Sequence, residues 1–472
     1  MPANHLPPEV WHIIFRLATG PLLPHVLGLR FISPLDMFVD LDTHWRMLGG
    51  RDFTRTSLAL VCRSWRVMAT PYIYEQIVLK GLEQERLLIR TLENAKQRLD
   101  HIKAIFMDFG LYAGRQPTDA NITNPPIMKY MTELKVYGIR FSYIKTHPVG
   151  CVGLKALCPP AACHPTSMII HVQRGILPSS LHSFLASAGA NLRILELSLP
   201  GCSPSDQLKH NRQLLLPNLH TLSIIEGGDA TALVDIASHW LVPSLRCIRG
   251  LGHTASFPLT NFSSSPQPSY VAPRVTSVAF SGPRVCNNFY EIFPGVEEIV
   301  FDVDVDRYPV MMMKPVPTCT QVGILIYDVG EGQLRKLATA ISDQFTPLGN
   351  PVTFPKLRLI RVMFVPAKDR WITRDSRSSA TFFSDYERGI FWAYWKMLWA
   401  SRGVKLEATE PHTGIPVPDT LELEEDLDEL ASAYEQIWEP THVGHGEDSS
   451  RDSVSEDSWG GGENLSSDEI DD

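Results

Sequence analysis

The sequence predicts an α/β protein: an N-terminal helical domain, then an irregular solenoid of short strands, then a disordered acidic tail. Three observations carry this reading. Apolar residues near the N-terminus step at helical spacing. A short strand pattern recurs through the middle of the chain. The charge divides sharply near residue 406. Of 472 residues 44% are hydrophobic, enough to build a sizeable core.

The first helix opens at Leu6-Pro7-Pro8-Glu9, where proline suits a first turn whose N–H groups have no partner. Val10, Ile13, Ile14 and Leu17 then fall on one face, and Pro21 and Pro24 stop the helix. A second helix is expected from about Thr54 to Ala69, with Leu58, Val61, Cys62, Trp65 and Met68 inward and Pro71 as its end. The extended run Ile77-Val78-Leu79 closes this domain, 1–80, and residues 19–53, rich in proline and glycine, read as an inserted loop. Two such helices bury little against each other and tend to need a partner surface. Pattern alone leaves a second role open, a helical cap on the larger body.

These residues resemble the F-box motif. Leu6-Pro7-Pro8-Glu9-Val10-Trp11-His12-Ile13-Ile14 and Leu58-Ala59-Leu60-Val61-Cys62-Arg63-Ser64-Trp65-Arg66 match its two halves in order, and Ala69-Thr70-Pro71-Tyr72-Ile73-Tyr74-Glu75 looks like the segment that follows it in fungal members, especially those of mushrooms and their relatives. The separation of the halves by 19–53 departs from the usual short linker. The resemblance implies docking on the Skp adaptor, and through it the cullin, of an SCF-type ubiquitin ligase. Leu6, Pro7, Val10, Ile13, Ile14, Leu58, Val61, Cys62 and Trp65 are its implied adaptor-binding residues.

From His101 to Val365 the pattern apolar-x-x-apolar-x-apolar recurs, starting at Ile102, Leu134, Leu154 (weakly), Leu192, Leu219, Leu245, Val275, Val296, Val322 and Leu357. Alternate residues of a short strand face inward, and stacked coils share one core. Proline precedes several strands, as in Leu216-Pro217-Asn218-Leu219, Val242-Pro243-Ser244-Leu245 and Phe354-Pro355-Lys356-Leu357. The mean spacing of about 28 residues resembles the leucine-rich repeat, although its usual asparagine is replaced by Pro200, Gly227, His253, Pro283 and Asp304. The coils over 81–406 are therefore expected to be irregular, and an ordinary α/β domain with leucine-rich strands is the other reading. Leu88, Leu92, Ala95 and Leu99 predict a helix on the first coil. A cap helix is expected over 384–403, opened by the capping box Ser384-Asp385-Tyr386-Glu387 and carrying Trp392, Trp395 and Trp399 as core.

From Glu407 onward there are 21 acids and one base, leaving 42 bases against 31 acids before it. A basic body thus carries an acidic tail, 407–472, with one amphipathic helix expected over 420–438 and disorder beyond Pro440.

No phosphate loop, His-Glu-x-x-His or Gly-x-Ser-x-Gly motif occurs. Asp302-Val303-Asp304-Val305-Asp306 imitates a calcium loop but lacks its glycine and its final glutamate, and Cys151, Cys158, Cys163 and His164 lack zinc-knuckle spacing. No metal or cofactor is therefore expected. The eight cysteines read as reduced thiols. No run of about eighteen apolar residues and no leader are found, so no membrane partner and an intracellular location, cytoplasmic or nuclear, are expected. No nucleic-acid motif is present. The reading is a non-enzymatic substrate receptor holding a protein target, its target-contacting residues unassigned. The alternative is a leucine-rich-repeat scaffold acting outside any ubiquitin ligase.

Overall fold

A computed structural model describes residues 6–19, 56–80, 82–108, 127, 130, 136–141, 165–172, 182, 185–187, 189–198, 214–225, 240–251, 274–280, 293–303, 315–327, 334–365, 385–409 and 427–438. The expected loop 19–53 lies outside them apart from Thr19, as do Leu154, Ser384, Cys151, Cys158, Cys163, His164 and the tail beyond residue 438.

Twelve strands form one sheet in which every neighbouring pair is parallel. In sheet order they are β1 (Gln76–Leu79), β2 (Ala104–Asp108), β3 (Val136–Phe141), β4 (Ser167–Val172), β5 (Ile194–Ser198), β7 (Thr221–Ile225), β9 (Cys247–Leu251), β10 (Ser277–Phe280), β11 (Glu298–Val303), β12 (Gln321–Tyr327), β13 (Leu359–Val365) and β14 (Lys405–Thr409). β6 (Leu214–Leu215) and β8 (Trp240–Leu241) pair separately. The order of strands in space is the order in the chain.

Register shows why. Ile105, Tyr137, Met168, Leu195, Leu222, Ile248, Val278, Ile299, Val322, Ile360 and Leu406 stand in one row across the sheet, each beside the next. This row and the apolar residue three before it in most strands fill one core. Sliding any strand by one residue would turn its apolar set to the opposite face.

The turns entering the strands repeat as well. In Leu216–Leu219, Val242–Leu245, Phe293–Val296, Val316–Cys319 and Phe354–Leu357 the last N–H donates to the first carbonyl at 3.1–3.3 Å, and proline is the second residue every time. Proline fits there because its fixed φ suits the second position of a turn and its missing N–H is not needed.

Two expected strand positions are corrected by these turns. The pattern start at Val322 is three residues late. Val322 is level with Ile299 and Ile324 with Phe301, so the buried Cys319 is the true first position. Leu325, expected inward, lies on the other face with Ala279, Val300 and Met363. Between β3 and β5 the sheet uses β4, whose first buried position is Pro165, where the pattern had placed a coil at Leu154.

Six helices flank the sheet among the described residues with named bounds: α1 (Pro8–Thr19), α2 (Arg63–Glu75), α3 (Leu82–Asn94), α4 (Leu334–Leu348), α5 (Asp385–Ser401) and α6 (Leu427–Trp438). The expected second helix is two pieces. Residues 56–61 are helical, the chain breaks at Cys62, and α2 starts at Arg63 with the Cys62 Sγ accepting the Trp65 N–H at 3.4 Å. Pro71 does not end α2 but lies inside it. The last turn survives the missing bond because Ala69 and Tyr72 are buried on either side of it. α3 follows the expected spacing only through Leu88 and Leu92, which lie on or against the core; it ends at Asn94, Ala95 is non-helical, and Leu99 packs on the core from a separate 3₁₀ turn, Lys96–His101.

α5 ends in a Schellman turn. The Val404 N–H donates to Trp399 O and the Gly403 N–H to Ala400 O, both at 2.9 Å, while Gly403 takes φ 72°. Trp392, Trp395 and Trp399 are buried against Phe345 of α4 and the last strands. The chain then enters β14, which crosses the expected boundary at 406/407: Glu407 belongs to the sheet, level with Arg361.

Candidate functional site

The helical unit ahead of the sheet is built on aromatic rings. Phe15 of α1 is fully buried, with Trp65 edge-on at 5.1 Å and Tyr72 edge-on at 6.4 Å. Trp11 leans on Trp65 at 4.8 Å. Leu58, Ala59, Met68 and Ile73 close the cluster. Polar clamps sit at its rim. The Tyr72 hydroxyl donates to His12 O at 3.2 Å and lies 3.0 Å from His12 Nδ1, and the Arg16 guanidinium stands 4.9 Å over the Tyr72 ring. Burial raises the Tyr72 phenol above its ordinary value, with Arg16 lowering it in part.

The residues expected from sequence divide into two groups. Trp65 and Leu58 face the internal cluster. Leu6, Pro7, Ile13, Val61 and Cys62 are exposed, while Val10 and Ile14 are half-buried. The stripe that the spacing marks on α1 is therefore not the one that holds the unit together. At about 100° per residue, Phe15 and Ile13 stand about 160° apart around the helix. Phe15 is 0% and Ile13 60% exposed. α1 is thus apolar on two opposite sides, one sheltered by its own chain and one left exposed at Ile13.

Trp11, Phe15 and Tyr72 were not among the expected site residues, and neither were the exposed Leu60 and Val67. The i, i+4 step from Trp11 to Phe15 is the signal that marks the second stripe. Leu60, Val61 and Val67 are each at least 60% exposed and flank the break at Cys62.

Among the described residues no three His, Cys, Asp or Glu side chains come together to hold a metal ion, and no helix is long and apolar enough to cross a membrane. No protein-family model matches the chain, and no curated protein matches it.

Proposed function

We propose that the protein is the substrate-recognition subunit of an SCF-type ubiquitin ligase. The exposed side of α1 and the neighbouring Leu60–Val61 segment dock on a Skp adaptor, which links the chain to the cullin. The sequential parallel sheet is the face of an irregular leucine-rich-repeat solenoid that holds a protein target. The chain itself performs no chemistry; it acts by holding the target near the ubiquitin-charged enzyme, which raises effective concentration.

The single observation behind this reading is the two-sided α1. A helix that keeps Phe15 buried and still leaves Ile13, and Leu6 just ahead of it, in water has spent its own packing partner on one face only. Large apolar groups left bare beside an ordered core are where partner binding concentrates. Co-purification with the Skp adaptor tests it. Val10→Asp/Ile13→Asp should abolish recovery while the protein stays folded, and equal recovery of wild type and variant would reject the adaptor role.

A scaffold acting outside any ligase is the second reading. It is favoured by the way α2 runs directly into β1, with Tyr74 and Ile77 packed on the sheet's core, so the helical unit also covers the sheet's first edge. It expects no adaptor in the co-purification and no change in target abundance on deletion.

A further inference from the structure

One residue ahead of each strand, the backbone ties successive entry turns into a column. The Arg193 N–H donates to Thr166 O at 2.8 Å, the His220 N–H to Arg193 O at 2.8 Å, the Arg246 N–H to His220 O at 2.9 Å and the Thr276 N–H to Arg246 O at 2.9 Å. Each step is one strand spacing of about 4.8 Å, so Arg193 and Arg246 stand about 10 Å apart with His220 between them. Both arginines are exposed and His220 is half-buried. Among the described residues neither guanidinium has an ion-pair partner. The next acid in the column beyond Arg246 is Glu297, two strands on.

Arg193 and Arg246 flank His220 in this column, and burial, then their charges, hold its imidazole below its ordinary value. Cations held together with no acid to relieve them attract an anion from outside. The stripe is short. Thr166 precedes it, and Thr276, Glu297 and Thr320 separate it from Arg358 and Lys405 further along the column, so it is not the unbroken track of cations that a nucleic-acid backbone engages.

We propose that Arg193, His220 and Arg246 form a docking stripe for an acidic peptide segment of a protein partner, laid across the entry turns of β5, β7 and β9. An extended polyproline-type chain places every third side chain on one side with a rise of about 9.3 Å, so two acids with two residues between them span the two guanidiniums. The His220 imidazole offers a further N–H between them. This inference rests on the reading of the sheet as the part that holds a target, and it names the chemistry of that target.

The test uses the full chain and a fluorescein-labelled peptide of sequence Glu-Ser-Ser-Glu-Ser-Ser-Glu, followed by anisotropy. Binding is expected, and it should weaken as ionic strength shortens the Debye length below about 10 Å. Arg193→Glu/Arg246→Glu should weaken it by about tenfold or more. Arg86→Glu/Arg90→Glu, a pair of exposed arginines on α3, should change it by less than about twofold. If the charge reversals unfold the chain, Arg193→Ala/Arg246→Ala replaces them. Because acids of the chain's own tail can compete with the peptide, the assay is repeated on Glu463→Gln/Asp468→Asn/Glu469→Gln/Asp471→Asn/Asp472→Asn. The proposal is overturned by no peptide binding in either background, by equal losses in the stripe and α3 variants, or by competition from oligothymidylate as strong as from the peptide. The assay contains no adaptor, so a failed adaptor co-purification leaves its outcome untouched, and the reverse holds.

Discussion

Arg16 of α1 grips the carboxylate of Glu75 with both terminal nitrogens, Nη1 to Oε2 at 2.6 Å and Nη2 to Oε1 at 3.1 Å. The backbone carbonyl of the same Glu75 accepts the Lys103 N–H at 2.9 Å, one residue before β2. Glu75 therefore holds α1 by its side chain and the sheet by its main chain. Glu75→Gln should loosen the first tie and leave the second. Arg16 is 40% exposed, so screening limits the loss to about 1 kcal/mol. Hydrogen exchange should speed in 8–19 and stay unchanged in 104–108. Equal acceleration in both segments would mean that the substitution acts through the backbone.

The two sides of α1 make opposite demands. Phe15→Ala empties the centre of the aromatic cluster and should cost about 3–5 kcal/mol of helical-unit stability, the range for deleting a buried phenylalanine. Ile13→Asp sits in water and should stay within about 0.5 kcal/mol. Urea unfolding followed by tryptophan fluorescence compares them, since Trp11 and Trp65 both touch Phe15. Comparable losses from both would show that Ile13 is sheltered after all.

The same helix shows what the sequence makes legible and where it stops. Val10, Ile13 and Ile14 form the more conspicuous aliphatic stripe, so periodicity selects them, yet the rings at Trp11 and Phe15 bury more area per residue and take the interior. The sheet was legible wherever a leucine or valine stood first in the strand pattern. It was misplaced where Pro165 and Cys319 hold that position, because neither reads as a branched aliphatic. The proline turn was the better guide: Val316-Pro317-Thr318-Cys319 has the same form as Leu216-Pro217-Asn218-Leu219 and fixes the phase of β12 without reference to its strand. β14 escaped notice because its own residues, Lys405 and Glu407, are charged. An edge strand tolerates that, and composition assigned its residues from Glu407 onward to the tail.

That edge strand gives the sheet a pH-dependent contact. Arg361 donates to Glu407 Oε2 from Nε at 3.0 Å and from Nη2 at 2.9 Å, and Lys405 approaches the other oxygen. Burial alone would raise the Glu407 carboxyl, but the hydrogen bonds and charges of Lys405 and Arg361 outweigh it and hold the group below its usual range. A carboxylate whose folded pKa is depressed contributes stability above its unfolded pKa and loses it as pH falls through the folded value. The melting-temperature gap between wild type and Glu407→Gln should therefore be full at about pH 6 and close towards about pH 3. A gap that stays constant over that window would show that the carboxylate's charge is not what stabilises β14.

Three described cysteines are free, and their surroundings order their reactivity. Cys319 is buried, which pushes its thiol up to about 12 despite the bond it makes to Gln321 O. Cys247 is raised as well, by burial first, with Arg249 opposing. Cys62 is exposed at the break before α2. The thiolate is the reactive form, so iodoacetamide at neutral pH should label Cys62 first and reach Cys247 and Cys319 only on unfolding. Peptide mapping by mass spectrometry reads the order. Early labelling at Cys319 would mean that the entry turn of β12 opens in the folded protein.

α6 lies in the stretch that composition assigns to the acidic tail, yet one tyrosine fastens it to the body. The Tyr434 ring stacks on Tyr394 of α5 at 4.4 Å and 20°, and its hydroxyl sits 2.5 Å from Ser342 Oγ of α4. Phe391 adds a third wall at 6.0 Å. Tyr434→Phe keeps the ring and loses one hydrogen bond, about 1 kcal/mol. Tyr434→Ala loses the ring as well, and for a 12-residue helix with little cooperativity of its own that loss should release the whole element. Hydrogen exchange should then rise throughout 427–438 in the alanine variant and only modestly in the phenylalanine variant, with α5 protected in both because Trp399 and Phe391 are anchored on the sheet's core. If the two variants behaved alike, the hydroxyl pair with Ser342 would be the fastening and the ring stack incidental. If neither moved, α6 would have a broader seat on the body than one side chain supplies.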